Sequence, residues 1–580
     1  MDVDTLTLTG SELSSHLKLT KLPRQNNQIP PNEGFRSSGQ STRTEGTQRQ
    51  LRQQNQATNM PLLNRIIPKR DILIVAKEST LPIASVFYDE IETSFSNLQP
   101  FILLITPLDE IILKKQVEDN FKNKRLLKIA HVFFENFKSN DWEERMANTL
   151  PSSLELIKKE IPTHPSVLHD LNQRVQYKQN DACRLIKVLC STALSLKSII
   201  MSTENPVVVD FAIYDISRSI LNSVCKEVGV TYRTLIGSRY KEYFLSTDDL
   251  GEDIVERMER LDISELDLEA CKMEMIEASE SRDLLPEHEK EWMINKYSSR
   301  KTIYIFTDIA KRFIIYSSRL ASIIQTCRKY NITLKQMHEI TGPTLATYLN
   351  STIGRAREVI RIWQAGRRFD RPNNYIYFPM PNTVENGERR FNNGYLSERQ
   401  VIDIIRPYLW NREMIVKDHR SMISDRSWKQ EQTLRGIYNV RYVSEWSERY
   451  SDVNSTKLMN DAEFTVVLSG TAGLECAIKG KEHIVLGRPL YKRYFEMKGF
   501  QYPDAHLLKE YMKGAIRNFS GIVPGELVGQ YISRCKKYGH SVNIYECFDN
   551  PKIEQNRVRI KELAKYMLKE YGEPKQNEAI

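Results

Sequence analysis

Between residues 464 and 487 the chain reads "FTVVLSGTAGLECAIKGKEHIVLG". An apolar run delivers Ser469, Gly470, Thr471, Ala472 and Gly473 to the start of a helix-favouring stretch, "LECAIKG". The first N–H groups of a helix have no partner inside it, and its positive end favours an anion. The hydroxyls of Ser469 and Thr471 add donors, and small residues let a phosphate approach the backbone. Capping the helix would need only one such hydroxyl. Two hydroxyls and two glycines exceed that need, so the spacing predicts a phosphate seat.

Three further segments place chemistry directly after an apolar run. In "IVKDHRS" Lys417 and His419 are two positions apart, so an extended strand turns both to one face and Asp418 to the other. A lysine and a histidine converging at a strand end suit a phosphate or a carboxylate. In "YFPMPNTVENGERRF" a strand runs into a loop with Glu385, Arg389 and Arg390, and in "VLGRPLYKRYF" Gly487 precedes Arg488, Tyr491 and Lys492. Taken singly, each reads equally as solvated charge. The argument lies in their common position, because open α/β sheets bind ligands beyond the carboxyl ends of their strands.

The elements that must hold these residues alternate. "RDILIVA" (70–76), "PFILLIT" (100–106), "LLKIAHVFF" (126–134), "PVVVDFAIY" (206–214) and "TYRTLIG" (231–237) have the length of buried strands, with helical patterns between them. That alternation predicts parallel βαβ units with helices on both faces. Residues 248–300 are acidic and helix-favouring and read as a helical insertion, and helical patterning continues to about 368. A second alternating unit follows, with strands in "NYIYFPMP" (374–381), "REMIVKDHRSM" (412–422), "VRYVSEW" (440–446) and "FTVVL". Two Rossmann-like units in series predict an α/β fold of the GT-B type. Its expected divisions are a disordered polar tail over 1–67, a first Rossmann-like unit with a helical insertion and linker over 68–372, a second Rossmann-like unit over 373–545, and a closing helix and tail over 546–580.

Composition narrows the function classes. The net charge of +9 arises from 83 basic and 74 acidic residues spread along the chain. Nucleic-acid binding usually shows a concentrated basic face, so this balance argues against it and fits an anionic ligand or an acidic membrane surface. Eight cysteines without a CxxC pair or a Cys/His cluster predict neither a disulfide framework nor a metal site, and a reducing, cytoplasmic setting. No signal peptide is expected, and the most apolar helical stretch, "LIKVLCSTALSLKSIIM", is interrupted by Lys187 and Lys197.

Over residues 374–495 the four segments together resemble the capsule polysaccharide biosynthesis protein family, which includes Kdo transferases. That family's "YFPLHxQPE", "VKEHP" and "TGTAGWEAIxxGKPVLVFGxxWY" are matched here, in order, by "YFPMPNTVE", "VKDHR" and "LSGTAGLECAIKGKEHIVLGRPLY". "VGVTYRTLIGSRYKEYFLSTDD" also resembles a segment of the family's first unit. The resemblance implies a GT-B fold and glycosyl transfer from a nucleotide sugar, a CMP-sugar first, to a surface polysaccharide or lipid-linked glycan. It assigns donor-phosphate contact to His419, Ser469 and Thr471, and it matches Glu385 and Lys417 to motif residues. Arg420 stands where the family has proline, and Leu474 where it has tryptophan.

On this reading the donor is a substrate and no further cofactor is expected. Transfer is expected to be metal-independent, with peripheral contact at the inner face of a membrane. The general base would come from the first unit, where Glu78, Asp210, Asp248 and Asp249 follow strands. The same phosphate-binding half would also serve a glycerophosphotransferase, a sugar epimerase or a catalytically inactive GT-B scaffold.

Overall fold

The computed structural model describes residues 69–77, 80–160, 180–211, 216–248, 254–280, 310, 314, 317, 320–341, 368–381, 398–409, 411–419, 428–444, 450–503, 510–511, 521–542, 544, 547 and 553–571. Its first sheet starts with β1 (Arg70–Ala76), helix α1 (Leu81–Ser94), β2 (Leu98–Leu104) and β3 (Leu126–Lys128). The long helix α2 (Asn180–Met201) leads to β4 (Val207–Val209), and α3 (Ile216–Glu227) leads to β5 (Thr231–Gly237). The hairpin strand β6 (Tyr243–Thr247) and helix α4 (Glu265–Glu280) follow.

Strand β1 explains why this sheet must be internal. Its alternate residues Leu73 and Val75 enter one apolar core, while Ile72, Ile74 and Ala76 enter another on the opposite face. All five are fully buried. A strand covered on both faces needs an unbroken apolar run, which is how "ILIVA" reads. β1 pairs in parallel with β2 and β4, and β2 and β4 continue in parallel to β3 and β5. β6 runs antiparallel to β5.

Part of "LLKIAHVFF" departs from expectation. Only Leu126–Lys128 is strand, and Ala130–Lys138 is helix. Ala130, Phe133, Phe134 and Phe137 recur at helical spacing and pack into one cluster, so the 3.6-residue period wins over the short apolar run. Gly229, just beyond α3, takes a left-handed φ of +71° and ends that helix as its sequence position predicts.

The second sheet is built from β7 (Tyr375–Pro379), α5 (Glu398–Ile405), β8 (Glu413–Lys417), β9 (Val440–Val443), α6 (Ser455–Asp461), β10 (Phe464–Val467), α7 (Ala472–Ile478), β11 (His483–Val485) and α8 (Leu490–Met497). All its pairings are parallel. The two-residue alternation is explicit in β7, where Ile376 and Phe378 face one core and Tyr375 and Tyr377 the other.

The chain then returns to the first sheet. Helix α9 (Gly525–Tyr538) ends at Gly539, and β12 (His540–Ser541) pairs antiparallel with β6. A Cβ at Gly539 would lie 2.5 Å from the Cys535 carbonyl oxygen and 3.0 Å from that of Phe244, so only glycine permits this passage. Helix α10 (Glu554–Leu568) closes the chain against the first sheet, with Ile560, Leu563, Ala564 and Met567 in the core that holds Ile72 and Ile74.

The strand orders are β12-β6-β5-β4-β1-β2-β3 and β11-β10-β7-β8-β9. Within each unit the first strand is central, the next two lie to one side and the following ones to the other. This is the Rossmann order. Two such sheets in series, with the chain crossing back to the first, make an α/β fold of the GT-B type. Among the described residues, no helix is long and apolar enough to cross a membrane.

Beneath the exit of β4, Asp210 is wholly buried. The Arg218 Nε donates to both its oxygens at 3.0 and 2.9 Å, and the Tyr232 hydroxyl donates to one of them at 3.0 Å. Removing one partner of a buried ion pair leaves the other charge without compensation. Asp210→Ala is therefore expected to lower stability by about 3–5 kcal/mol in urea denaturation.

Candidate functional site

In a Rossmann-ordered sheet the ligand crevice opens where the strand order reverses. In the second sheet that point lies between β7 and β10. The residues that leave those two strands are Met380 and Pro381 on one side and Leu468, Ser469 and Gly470 on the other. The small-residue loop singled out by its sequence thus sits at the switch point.

The register carries the comparison to β8. Pro379 pairs with Lys417, and Phe464 pairs with Ile376. Continuing the second register by three residues puts Val467 on the rung of Pro379 and Lys417. His419 and Ser469 each lie two residues beyond that rung, on the same carboxyl edge. Two strand spacings separate their strands, about 10 Å. The fold brings these two segments to one edge with β7 between them.

The individual side chains differ in what they offer. Lys417 is 3 % exposed, and its amine donates to the Ser455 hydroxyl at 2.6 Å at the start of α6. Asp418 is also buried; its N–H continues the ladder to the Val443 carbonyl at 2.9 Å, and its carboxylate accepts from the Tyr442 hydroxyl. His419 is the exposed member of the three. Glu385, Arg389, Arg390 and Arg420 lie outside the described residues.

In the loop itself Ser469 is fully buried, while Gly470, Thr471 and Ala472 are partly exposed. Thr471 occupies the N-cap position of α7 but makes no side-chain cap. The N–H groups of Gly470, Thr471, Ala472 and Gly473 donate to no described residue. Helix α7 has seven residues, about two turns, so its macrodipole is short. What the loop presents is chiefly a row of backbone donors.

Behind the loop stands α8. Tyr491 is fully buried and its hydroxyl donates to the Gly470 carbonyl at 3.0 Å. Lys492 is 6 % exposed and its amine donates to the Val485 carbonyl at 2.6 Å. Of the basic and aromatic groups in "GRPLYK", therefore, Tyr491 and Lys492 are part of the wall, and Arg488 is exposed. The Tyr491 contact was not legible from sequence, because nothing in the spacing of residues 470 and 491 marks them as neighbours.

Two of the acidic candidates of the first sheet are described. Asp210 is committed to Arg218 and Tyr232 as above. Asp248 is ion-paired with Arg233 at 3.0 Å and with Arg257 at 2.7 Å. Glu78 and Asp249 lie outside the described residues. Among the described residues seven cysteines are buried, and burial pushes the thiols of Cys190, Cys476 and Cys535 up to about 12, far from nucleophilic use at neutral pH. Among the described residues no group of three His, Cys, Asp or Glu is placed to hold a metal ion.

No protein-family model matches the chain, and no curated protein does. Among solved structures it is similar to KpsC, a beta Kdo 2,7 transferase of Thermosulfurimonas dismutans, at 10% identity and a TM-score of 0.30, over 65% of this chain and 89% of that one. It is also similar to the UDP-GlcNAc 2-epimerase of Methanocaldococcus jannaschii, at 12% identity and a TM-score of 0.20, over 81% and 100% of the two chains. The Neisseria meningitidis UDP-GlcNAc 2-epimerase, solved with UDP-GlcNAc, gives 9%, 0.24, 86% and 100% in the same order. Likeness this slight decides nothing about activity; the strand orders above establish the fold.

A buried imidazole supports the wall below the loop. His483 is fully buried at the start of β11, with Nδ1 2.9 Å from the Lys481 carbonyl oxygen and Nε2 2.8 Å from the Tyr502 hydroxyl. The carbonyl can only accept, so Nδ1 carries the proton and Nε2 accepts from Tyr502. Burial lowers its pKa from 6.5 to about 4. The unfolded chain therefore binds the extra proton first, and stability present above pH 6.5 is lost as pH falls toward about 4. At about 1.4 kcal/mol per pH unit the loss is about 3 kcal/mol. Denaturation midpoints measured from pH 7 to 4 are expected to fall less steeply for His483→Gln than for the natural protein.

Proposed function

We propose that this protein is a glycosyltransferase that seats a nucleotide sugar, a CMP-sugar first, on the carboxyl edge of its second sheet. The acceptor, a surface polysaccharide or lipid-linked glycan, would be taken up by the first sheet. One observation carries the reading: the unpartnered amides of residues 470–473 lie at the switch point, with His419 on the same edge. Backbone donors fixed before reaction stabilise charge developing on a departing phosphate without reorganising.

In this reading His419 and the loop amides meet the donor phosphate. Lys417, sealed against Ser455, contributes positive potential from behind. Ser469 immediately precedes the amide row and Thr471 lies within it, and Glu385 and Arg420 belong to the loops that border the crevice. Transfer then proceeds without a metal ion, and no cofactor is needed besides the donor. The protein would work in the cytoplasm, meeting a membrane only through its acceptor.

A second reading is a nucleotide-sugar-binding module that does not transfer. It is favoured by Asp210 and Asp248, both engaged by arginines and so poorly placed to take a proton from an acceptor hydroxyl. Turnover separates the two readings. Incubated with a panel of CMP-, UDP- and GDP-sugars, excess chelator and a polysaccharide or lipid-linked glycan acceptor, the protein is expected to release nucleotide from one of them as the sugar passes to an acceptor hydroxyl. His419→Ala should cut that rate about 10²–10³-fold while its melting temperature stays unchanged. Binding without release in any mixture would favour the module, and an absolute need for a divalent ion would contradict metal-independent transfer.

A further inference from the structure

We infer that Tyr491 is a positioning residue that sets the direction of the amide row in the switch-point loop. The inference rests on the donor seat proposed above. A trans peptide is planar, and its C=O and N–H point in opposite directions. The Tyr491 hydroxyl holds the Gly470 carbonyl at 3.0 Å from the buried side. The other end of the same peptide is the Thr471 N–H, which is thereby aimed away from α8, toward the crevice.

Gly473 shows how closely the phenol is fitted. A Cβ at that position would lie 2.2 Å from the Tyr491 hydroxyl oxygen, 3.0 Å from Cζ and 3.2 Å from Cε2. No side chain fits there while the phenol keeps its bond. At Gly470 an added Cβ would meet no described atom within 4 Å. The two glycines therefore have different reasons. Gly473 makes room for a protein side chain on the inside, and Gly470 leaves open space where a ligand would approach.

The phenol is itself anchored to the first sheet. Its ring lies 6.1 Å from Phe495, which meets Tyr531 edge-on at 5.8 Å. The Tyr531 hydroxyl donates to the Ser238 carbonyl at 2.5 Å, in the turn between β5 and β6. Arg239 and Lys241 in that turn hold left-handed φ values of +66° and +45°. The loop that orders the amide row and the turn that borders the first sheet are thus fastened through one aromatic stack.

The test uses the full chain, with CMP and UDP as probes in titration calorimetry. Tyr491→Phe keeps the ring and removes only the hydroxyl. It is expected to weaken the tighter probe about tenfold, with a melting temperature within a few degrees of the natural protein. Gly473→Ala approaches the same contact from the loop side and should weaken binding comparably. The double variant should be no worse than the poorer single one, since both lose one shared contact. Phe133→Leu, in a separate apolar cluster that holds neither Tyr491 nor Gly470, should lower the melting temperature and leave affinity within twofold. Probe binding by the natural protein that Tyr491→Phe and Gly473→Ala match within twofold would overturn the positioning role and leave the donor seat standing. Failure of the natural protein to bind either probe would remove the seat and the inference with it.

Discussion

The structure depends on a wedge of aromatic side chains between its two sheets. Tyr491, Tyr494 and Phe495 on one helix and Tyr531 on another are fully buried, and they share one apolar core with Val75 and Val208 of the first sheet and Val485 of the second. Such rings each bury a large area and prefer tilted or edge-on contacts, which these adopt. Three of the four also carry a hydroxyl, and two hydroxyls end on backbone carbonyls, of Gly470 and Ser238. A purely aliphatic seam would hold the sheets together but could not fix two turns at once. Here the apolar bodies supply cohesion and the polar tips supply register.

Charge does comparable work at the far side of the first sheet. Arg233 is 3 % exposed; it donates to Glu570 at 2.5 Å and to the Tyr571 hydroxyl at 3.1 Å, and forms an ion pair with Asp248 at 3.0 Å. The Tyr571 ring lies under both Arg233 and Arg70, at 5.2 and 5.6 Å, and its carbonyl accepts from Asn97 at 3.1 Å. Tyr566 reaches the β6 backbone through a bond from the Ser246 N–H at 3.0 Å. The buried charge is offset by two carboxylates and an aromatic face, although the Arg233 Nε itself meets no acceptor among the described residues.

Much of this was legible in the sequence, and for a physical reason. Strands covered on both faces must be unbroken apolar runs, so "DILIVA", "PFILLI" and "EFTVV" announce themselves, and their alternation with helices fixes the parallel class. The glycine after α3 and the small residues after β10 mark turns because few other residues fit there. Contacts between distant residues left no local trace. Nothing near Tyr491 points to Gly470, and nothing near His540 points to β6. "KIAHVFF" also reads equally as strand or helix until the partners of Phe133 and Phe137 are known. The burial of Lys417 was hidden likewise, because its partner Ser455 stands in a later element.

The return of β12 and α10 to the first sheet has a temporal consequence. The edge of that sheet is laid by β6, yet its neighbouring strand and covering helix emerge about 300 residues later, tens of seconds apart at common synthesis rates of about 5–20 residues per second. Until then Ile72, Ile74 and Phe87 lack the helix that covers them. Through most of its synthesis the nascent chain therefore carries that flank covered by α1 but not yet by α10.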